Sequence, residues 1–148
     1  MEGSLLDARI ITVKLLKKTG RLPEKSHDSD AGYDLFAPED VVLRPGELKQ
    51  VPMGIALQLP AGSWWIELRD KSSRALQGLH ILAGIVDQDY RGEVIAVIQN
   101  LGHKAVIIKA GEKVCQMILH PVYPALVFEV DELNETKRGK GGFGSTGL

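Results

Sequence analysis

Short apolar runs, rich in valine and isoleucine, alternate along this chain with polar turns. Such runs predict β-strands, because β-branched residues fit a pleated, half-buried surface. Eight runs qualify: residues 10–16, 41–43, 54–59, 64–68, 93–98, 105–109, 114–119 and 126–130. The segments between them carry glycine, as in RPGE at 44–47, and glycine is typical of tight turns. The pattern predicts an all-β domain, such as a sandwich, jelly roll or barrel.

Helical periodicity is weak throughout the chain. No window sustains apolar residues at i, i+3, i+4 and i+7 over three turns. The best candidate is the segment 72–78, in which Ser72 or Ser73 could cap the first turn and Gly78 could end the last. We expect one short helix among the strands.

The composition changes once, after Asn134. Residues 136–148 contain five glycines, three basic residues and no acidic residue. A segment of this kind cannot form a core, and ordering it costs much conformational entropy. The sequence therefore predicts a β domain over residues 1–134 and a flexible glycine-rich C-terminal arm over residues 135–148.

Composition and charge narrow the possible functions. The 148 residues are 44% hydrophobic, enough for one ordinary core. The net charge of -1 gives no overall field that would gather nucleic acid or an anionic membrane, so an anionic ligand must be held by local charge. The single cysteine and the polar N-terminal sequence predict an unexported, cytoplasmic protein.

The C-terminal arm has the parts of a phosphate-binding site. Its glycines allow backbone N–H groups to approach an anion, and Ser145, Thr146 and Arg138 add donors. Phe143 could stack on a nucleobase. The residue order is not that of a P-loop. A flexible linker with incidental charge fits the same composition.

Three internal segments place polar groups at predicted turns. Asp87 and Asp89 lie between apolar runs with Tyr90 beside them, although such a carboxylate pair alone is most often a solvated turn. Residues 28–47 contain another acidic turn, and residues 70–79 contain a basic residue followed by two hydroxyls. None of the three indicates a function by itself.

Taken in order, five segments resemble the motifs of the trimeric deoxyuridine triphosphate diphosphatases, the dUTPases. They are AGYDL (31–35), KSS (71–73), GIVDQDYRGE (84–93), GEKVCQMIL (111–119) and RGKGGFGSTG (138–147). The resemblance implies an Mg²⁺-dependent enzyme that cleaves dUTP to dUMP and pyrophosphate, lowering dUTP and supplying dUMP for thymidylate synthesis. It also implies a distorted jelly-roll or β-sandwich of the β-clip type, assembled as a homotrimer with shared active sites.

The resemblance assigns the reaction and the base recognition to the third motif. Asp87 would activate the water that attacks the α-phosphorus, and Tyr90 would pack against the deoxyribose and exclude a 2′-hydroxyl. Uracil would be recognised by the backbone of a hairpin around residues 79–90, where Ala83 and Gly84 permit close approach.

The second and fourth motifs are assigned to the phosphates. Lys71, Ser72 and Ser73 would bind the phosphate chain. Many relatives carry arginine at the position of Lys71, and a lysine there offers a point charge without the bidentate binding of a guanidinium. Gln116 would donate near the phosphates, although without the resemblance it is a polar residue on the outer face of a strand. Asp70 is unfavourable beside a polyanion, and the sequence does not explain it.

The first and fifth motifs complete the implied site. Asp34 would hold a water bound to Mg²⁺. In the arm, Arg138 would clamp the γ-phosphate and Phe143 would cover the uracil. Three further residues of the arm would contact the substrate: Gly144, Ser145 and Thr146.

Other conspicuous residues receive no functional role. The four histidines lack the spacing of metal ligands, so no zinc site is predicted. Cys115 is expected in the core. Trp64 and Trp65 must point to opposite faces of a strand, and one of them could lie in the core or at a subunit interface.

Two alternatives remain open. The dCTP deaminase group shares the fold and a Ser-Ser element but does not resemble the arm or the Asp87 segment. A nucleotide-binding regulator on the same scaffold, non-catalytic or with a second role beside catalysis, would act through protein partners.

Overall fold

The computed structural model describes residues 9–144, which form two four-stranded antiparallel sheets and a two-stranded ribbon. The strand order is β1-β4-β8-β6 in the first sheet and β2-β10-β5-β7 in the second, and β3 pairs with β9 in the ribbon. The strands are β1 Thr12–Leu15, β2 Tyr33–Phe36, β3 Val41–Leu43, β4 Leu48–Gln58, β5 Trp64–Asp70, β6 Leu79–Leu82, β7 Ile85–Val86, β8 Glu93–Asn100, β9 Val106–Ile108 and β10 Lys113–Pro121.

The core forms where the apolar faces of the two sheets meet. Along β8 every second side chain is buried, including Val94, Ala96 and Ile98, as expected for a strand with one face on the core. Ile66 and Met117 of the second sheet belong to the same apolar cluster. The predicted all-β fold is confirmed.

Seven of the eight predicted strands are present, and the one at residues 126–130 is wrong. Leu126, Val127 and Phe128 lie in irregular backbone with 84%, 96% and 77% of their surface exposed. A strand needs a neighbouring edge to satisfy its backbone groups, and no edge within residues 9–144 pairs with this segment.

Three strands were not predicted, and one is longer than expected. β2, β6 and β7 are only two to four residues long and lack a clear alternation. β4 begins six residues before the predicted run and contains Pro52 and Gly54. The pairing register shifts between Pro52 and Ala56, and Gly54 has φ +70°, so a bulge accommodates both residues.

The expected helix is present as a single turn, α1 Ser72–Ala75, but its cap differs from the prediction. Lys71 occupies the N-cap position and makes no side-chain capping bond, so the expectation of a serine cap is wrong. Ser72 is already the first helical residue, which places both hydroxyls inside the turn. Gly78 has φ +93°, and its amide donates to the Ala75 carbonyl at 2.9 Å, as a residue that ends a helix does.

The buried side chain of Asn100 fixes the loop between β8 and β9 to the end of β3. Asn100 is fully buried, and its Nδ2 donates to the carbonyls of Leu43 and Lys104, each at 2.9 Å. Its Oδ1 accepts from the Gly102 amide at 2.9 Å. A Cβ on Gly78 would lie only 2.6 Å from the Gly102 nitrogen, so the segment after α1 packs closely on the ordered loop.

Cys115 lies in the core as expected, and of the two tryptophans it is Trp64 that contacts the core. Cys115 is buried in β10, and burial raises the pKa of its thiol to about 12. Trp64 packs against the core, whereas Trp65 stacks on His120 with ring centroids 4.6 Å apart. Among the described residues no helix is long and apolar enough to span a membrane.

Candidate active site

A polar cleft of about 360 Å³ opens where β2, β10 and β5 lie side by side. Four predicted site residues meet there: Asp34, Lys71, Ser72 and Gln116. The other lining residues are Ser26, Asp30, Ala31, Gly32 and Asp70. Ser73 follows Ser72 in α1 and is exposed, but it does not line the cleft.

The strand register explains why residues distant in sequence meet. Gln116 of β10 lies opposite Asp34 of β2 on one side and Arg69 of β5 on the other. Lys71 and Ser72 follow the end of β5 directly. Residues of the second, fourth and first motifs therefore lie side by side across one sheet.

Asp34 is the electrostatic centre of the cleft. Its Oδ1 accepts a hydrogen bond from Lys71 Nζ at 2.8 Å, and its Oδ2 lies 2.6 Å from Lys113 Nζ. Burial of the carboxyl disfavours ionisation, but the hydrogen bonds from Lys113 and Lys71 outweigh it and hold the pKa of Asp34 below its usual value. The cleft thus pairs one buried carboxylate with two ammonium groups.

Lys113 was missed by sequence reasoning. The β10–β2 register shifts between Lys113 and Cys115, and this irregularity breaks the simple alternation of side chains along the strand. Lys113 Nζ also contacts Ser26 Oγ at 3.2 Å. The position of Lys113 in the fourth motif, three residues before Gln116, was the only available signal.

Gln116 is held in a fixed orientation. Its Nε2 donates to the Asp70 carbonyl at 2.8 Å, while its Oε1 faces Gly32. A Cβ at position 32 would lie 2.5 Å from that oxygen. The glycine of the first motif therefore gives the Gln116 amide room to lie in the cleft.

Asp87 and Tyr90 lie in a second, smaller cleft of about 140 Å³, beside β7 and β8. Asp87 is exposed, and within residues 9–144 its carboxylate makes no hydrogen bond or ion pair. Tyr90 Oη donates to the Glu93 carbonyl at 3.0 Å. Gln88, which the sequence did not indicate, anchors this turn: its Oε1 accepts from the Trp64 amide at 2.8 Å.

The segment 79–90 does not form the expected hairpin. β6 pairs with β8 in the first sheet, whereas β7 pairs with β5 in the second. Ala83 and Gly84 both have positive φ, 56° and 87°, and they turn the chain from one sheet to the other. The Gly84 carbonyl accepts from the Leu68 amide at 2.7 Å, and a Cβ on Gly84 would lie 2.8 Å from the Leu68 oxygen. The close backbone approach expected at Gly84 is present.

The two clefts are separated along β5. Val86 lies opposite Ile66, so the following residue, Asp87, is level with Trp65 near the start of β5. Asp70, at the polar cleft, ends the same strand. Five residues of extended chain separate the two levels, roughly 17 Å at 3.3 Å per residue. One chain therefore does not bring Asp87 next to Lys71 and Ser72.

The described part of the arm lines neither cleft. Arg138 Nε donates to the Gly141 carbonyl at 2.8 Å within the arm itself, and Phe143 is fully exposed. Gly144 has φ +95° and is also exposed. Ser145 and Thr146 lie outside the described residues.

The polar cleft suits Mg²⁺ only through water. Within residues 9–144 no three His, Cys, Asp or Glu side chains are grouped to hold a metal ion. Both oxygens of Asp34 already accept from lysines, although each retains a lone pair that could accept from a metal-bound water. Mg²⁺ commonly keeps several waters and takes oxygens from phosphates, so an outer contact of this kind is compatible with the donor set.

Comparison with known proteins identifies one family. A sequence model described as dUTPase matches residues 18–147. A deoxyuridine 5′-triphosphate nucleotidohydrolase of Clostridium kluyveri is 42% identical over 140 residues, covering 93% of this chain and 97% of the relative. The enzyme of the same name from Clostridium tetani is 40% identical over 140 residues, covering 93% of this chain and 96% of the relative.

Solved structures share the fold. A mutant of the Staphylococcus bacteriophage 80alpha dUTPase with dUpNHpp has a TM-score of 0.86 and 28% identity, covering 94% of this chain and 99% of the other. A mutant dUTPase of phage phi11 of S. aureus, described with a structural Mg(II) ion, has a TM-score of 0.77 and 25% identity, covering 85% and 99%.

The pairing of Asp34 with two lysines predicts a pH-dependent contribution to stability. Because the pKa of Asp34 in the folded protein lies below its ordinary 3.8, the contribution is present above about pH 4 and is lost as the pH falls through the lowered value. Asp34→Asn should lower the free energy of unfolding by about 1–3 kcal/mol at pH 7 and by less at pH 3. Urea unfolding at fixed protein concentration measures the difference, with the exposed Asp28→Asn as control. A difference independent of pH would contradict the pairing.

Proposed function

This chain belongs to the dUTPase family, and on that premise we propose that it hydrolyses dUTP to dUMP and pyrophosphate. The main support is the polar cleft, in which Asp34, Lys71, Ser72 and Gln116 of three separate motifs converge. Relatives named deoxyuridine 5′-triphosphate nucleotidohydrolase match nearly the whole chain at about 40% identity. The enzyme class is therefore dUTP diphosphatase, which lowers dUTP and supplies dUMP.

The polar cleft would bind the phosphate chain. Lys71 supplies a positive charge, Ser72 a hydroxyl donor and Gln116 an amide that is already oriented by Asp70 and Gly32. Lys113 keeps Asp34 paired when Lys71 turns to the phosphates, so no buried carboxylate is left alone. Charge neutralisation on the phosphate oxygens would come from Mg²⁺, with Asp34 accepting from a metal-bound water. The phi11 dUTPase described with a structural Mg(II) ion supports this choice of metal.

Asp87 would act as the general base. Its exposed carboxylate is free of partners in the described part of the chain, so it can accept a hydrogen bond from a water. That water would lose a proton to Asp87 while its oxygen bonds to the α-phosphorus and pyrophosphate leaves with the electrons of the broken P–O bond. Catalysis then rests on positioning and charge stabilisation, without a covalent intermediate.

The turn around Ala83 and Gly84 and the ring of Tyr90 would recognise the nucleoside. Backbone groups at the turn approach closely because both residues have positive φ. A rigid backbone pocket can exclude a C5-methyl group and leave the polar edge of a wrong base unpaired. Tyr90, half exposed beside Asp87, would stack on the deoxyribose and exclude a 2′-hydroxyl.

The complete enzyme would be a homotrimer with shared sites. Because about 17 Å of strand separates the two clefts in one chain, Asp87 of one copy would face the polar cleft of another. The exposed apolar segment 126–130 supports the same assembly, since a second copy can supply the missing strand edge.

The arm over residues 135–148 would close the site after substrate binds. Arg138 would clamp the γ-phosphate and Phe143 would cover the uracil, and both are exposed and uncommitted to the β domain. Gly144, Ser145 and Thr146 would donate to the phosphates. Closure would exclude water from the reacting centre.

The alternatives have less support. The family model and the relatives are those of dUTPases, which argues against a dCTP deaminase. A purely non-catalytic regulator would not require an exposed, unpaired carboxylate at Asp87 beside Tyr90. The cytoplasmic location expected from the sequence stays a prediction.

A substrate panel tests the proposed reaction. The protein should release pyrophosphate and dUMP from dUTP in Mg²⁺ and turn over dTTP, dCTP and UTP poorly, because the pocket excludes a methyl group, an amine edge and a 2′-hydroxyl. Chromatography resolves the products, and chelation of the metal should slow the reaction. Release of orthophosphate, or equal turnover of UTP and dUTP, would contradict the proposal.

The general-base assignment predicts a specific kinetic defect. Asp87→Asn should lower kcat by roughly 10²–10⁴-fold, the usual contribution of a positioned base, and change KM little, because the proposed contact of Asp87 is with the attacking water and not with the nucleotide. Steady-state kinetics on dUTP provide the measurement. Asp89→Asn, in the same exposed turn, is the matched control and should remain within about threefold of wild type. An ordinary rate in the Asp87 variant would refute the assignment.

The arm can be tested by truncation after Glu135. Turnover of dUTP should fall by roughly two orders of magnitude, since the γ-phosphate clamp and the lid are lost together, while the thermal midpoint of the β domain should hardly change. Removal of Leu148 alone serves as the control. A truncated protein that turns over normally would show that the arm has no part in the reaction.

A further inference from the structure

The side chain of Asp70 joins the two sheets at the polar cleft. Asp70 ends β5, an interior strand of the second sheet, whereas Ile81 lies in β6, an edge strand of the first. Asp70 Oδ1 accepts from the Ile81 amide at 2.6 Å, and Oδ2 lies 2.8 Å from His80 Nδ1. A single carboxylate therefore connects strands that no backbone ladder joins.

The Ile81 amide needs this acceptor. β6 pairs with β8 on one side only, and Ile81 is half-buried, so a donor turned to the other side has no strand partner. A buried N–H without an acceptor costs free energy, and a carboxylate is a strong acceptor. The negative charge that is unfavourable beside a polyanion is thus engaged by an amide and an imidazole.

Asp70 also contacts the phosphate side of the site. Its carbonyl accepts from Gln116 Nε2 at 2.8 Å, and the next residue, Lys71, donates to Asp34. On the other side, β6 ends at Leu82 and leads directly into the turn at Ala83 and Gly84. Asp70 therefore links the side chains assigned to the phosphates with the backbone turn assigned to the base.

We propose that Asp70 is a positioning residue, which fixes β6 and the turn after it relative to Lys71 and Gln116. This inference rests on the proposed function, in which the cleft binds phosphates and the turn recognises a base. Asp70 acts through these neighbours and makes no contact with substrate. In this role the location of its acceptor atoms matters more than its charge.

Two conservative substitutions separate position from charge. Asp70→Asn keeps an oxygen at the Oδ1 position but removes the charge, whereas Asp70→Glu keeps the charge but displaces the oxygens by one methylene. KM for dUTP should rise roughly tenfold in the Glu variant, the equivalent of one hydrogen bond to a charged group. KM should stay within about threefold of wild type in the Asn variant, and kcat should change little in both because Asp87 is distant.

Asp40 offers matched control variants outside the cleft. Its carboxylate likewise accepts from a backbone amide, that of Ala110 at 2.9 Å, and from a basic side chain, Lys109 Nζ at 2.8 Å. Asp40→Asn and Asp40→Glu report the general effect of disturbing such a contact. Neither should alter KM.

The inference is supported by a KM that rises above the wild-type value in Asp70→Glu and is about three or more times that of Asp70→Asn, with a ratio near one at Asp40. A ratio near one at Asp70 overturns the inference and indicates that Asp70 has no positioning role. A lower KM in Asp70→Asn with an unchanged KM in Asp70→Glu also overturns it and indicates an effect of charge. Amide hydrogen exchange over residues 79–84 without nucleotide gives an independent readout. Exchange should accelerate in the Asp70→Glu variant only, and equal exchange in both variants would contradict the proposal that Asp70 holds β6. If wild-type protein fails to hydrolyse dUTP, the proposed function is wrong, and the exchange measurement still decides whether Asp70 holds β6.

Discussion

The length of β5 determines how this protein can build a site. One end of the strand meets the cleft with Asp34, Lys71 and Gln116, and the other lies level with Asp87. An extended strand cannot shorten, so the two groups stay roughly 17 Å apart within a chain. In the proposed reaction, a triphosphate and its attacking water would lie within a few ångströms of both groups. In the proposed homotrimer each chain would therefore supply Asp87 to one site and the polar cleft to another, and the exposed apolar segment 126–130 fits the same proposed assembly.

The acidic side chains of the polar cleft are all engaged in hydrogen bonds or ion pairs with the protein. Two lysines approach Asp34, so this carboxylate is paired by both Lys71 and Lys113. Asp70 is engaged by the Ile81 amide and His80, and Asp30 accepts from the His27 amide at 2.9 Å. All three acidic lining residues, Asp30, Asp34 and Asp70, are thus engaged by other groups of the protein. Among the lining residues, Lys71, Ser72 and Gln116 are the predicted donors to a phosphate chain.

The sequence predicted what depends on local patterns and missed what depends on long-range pairing. Valine-rich alternation was sufficient to find β8 and β10, and the ordered motifs were sufficient to gather Asp34, Lys71 and Gln116 in one cleft. Lys113 was missed because a register shift breaks the alternation of β10. Residues 126–130 have strand-like composition, but composition does not supply a partner edge. Asp70 was unexplained because its acceptor role depends on β6, which is too short and irregular to predict.

In the proposed assembly, each site contains Asp87 of one copy and the polar cleft of another. Two inactive variants test it directly: Asp87→Asn, and Lys71→Ala combined with Ser72→Ala, unfolded together and refolded as a mixture. Random assortment makes about three quarters of the trimers mixed, each with one intact site in three, so about a quarter of wild-type activity should return. A mixture no more active than the average of its two components would contradict the shared site.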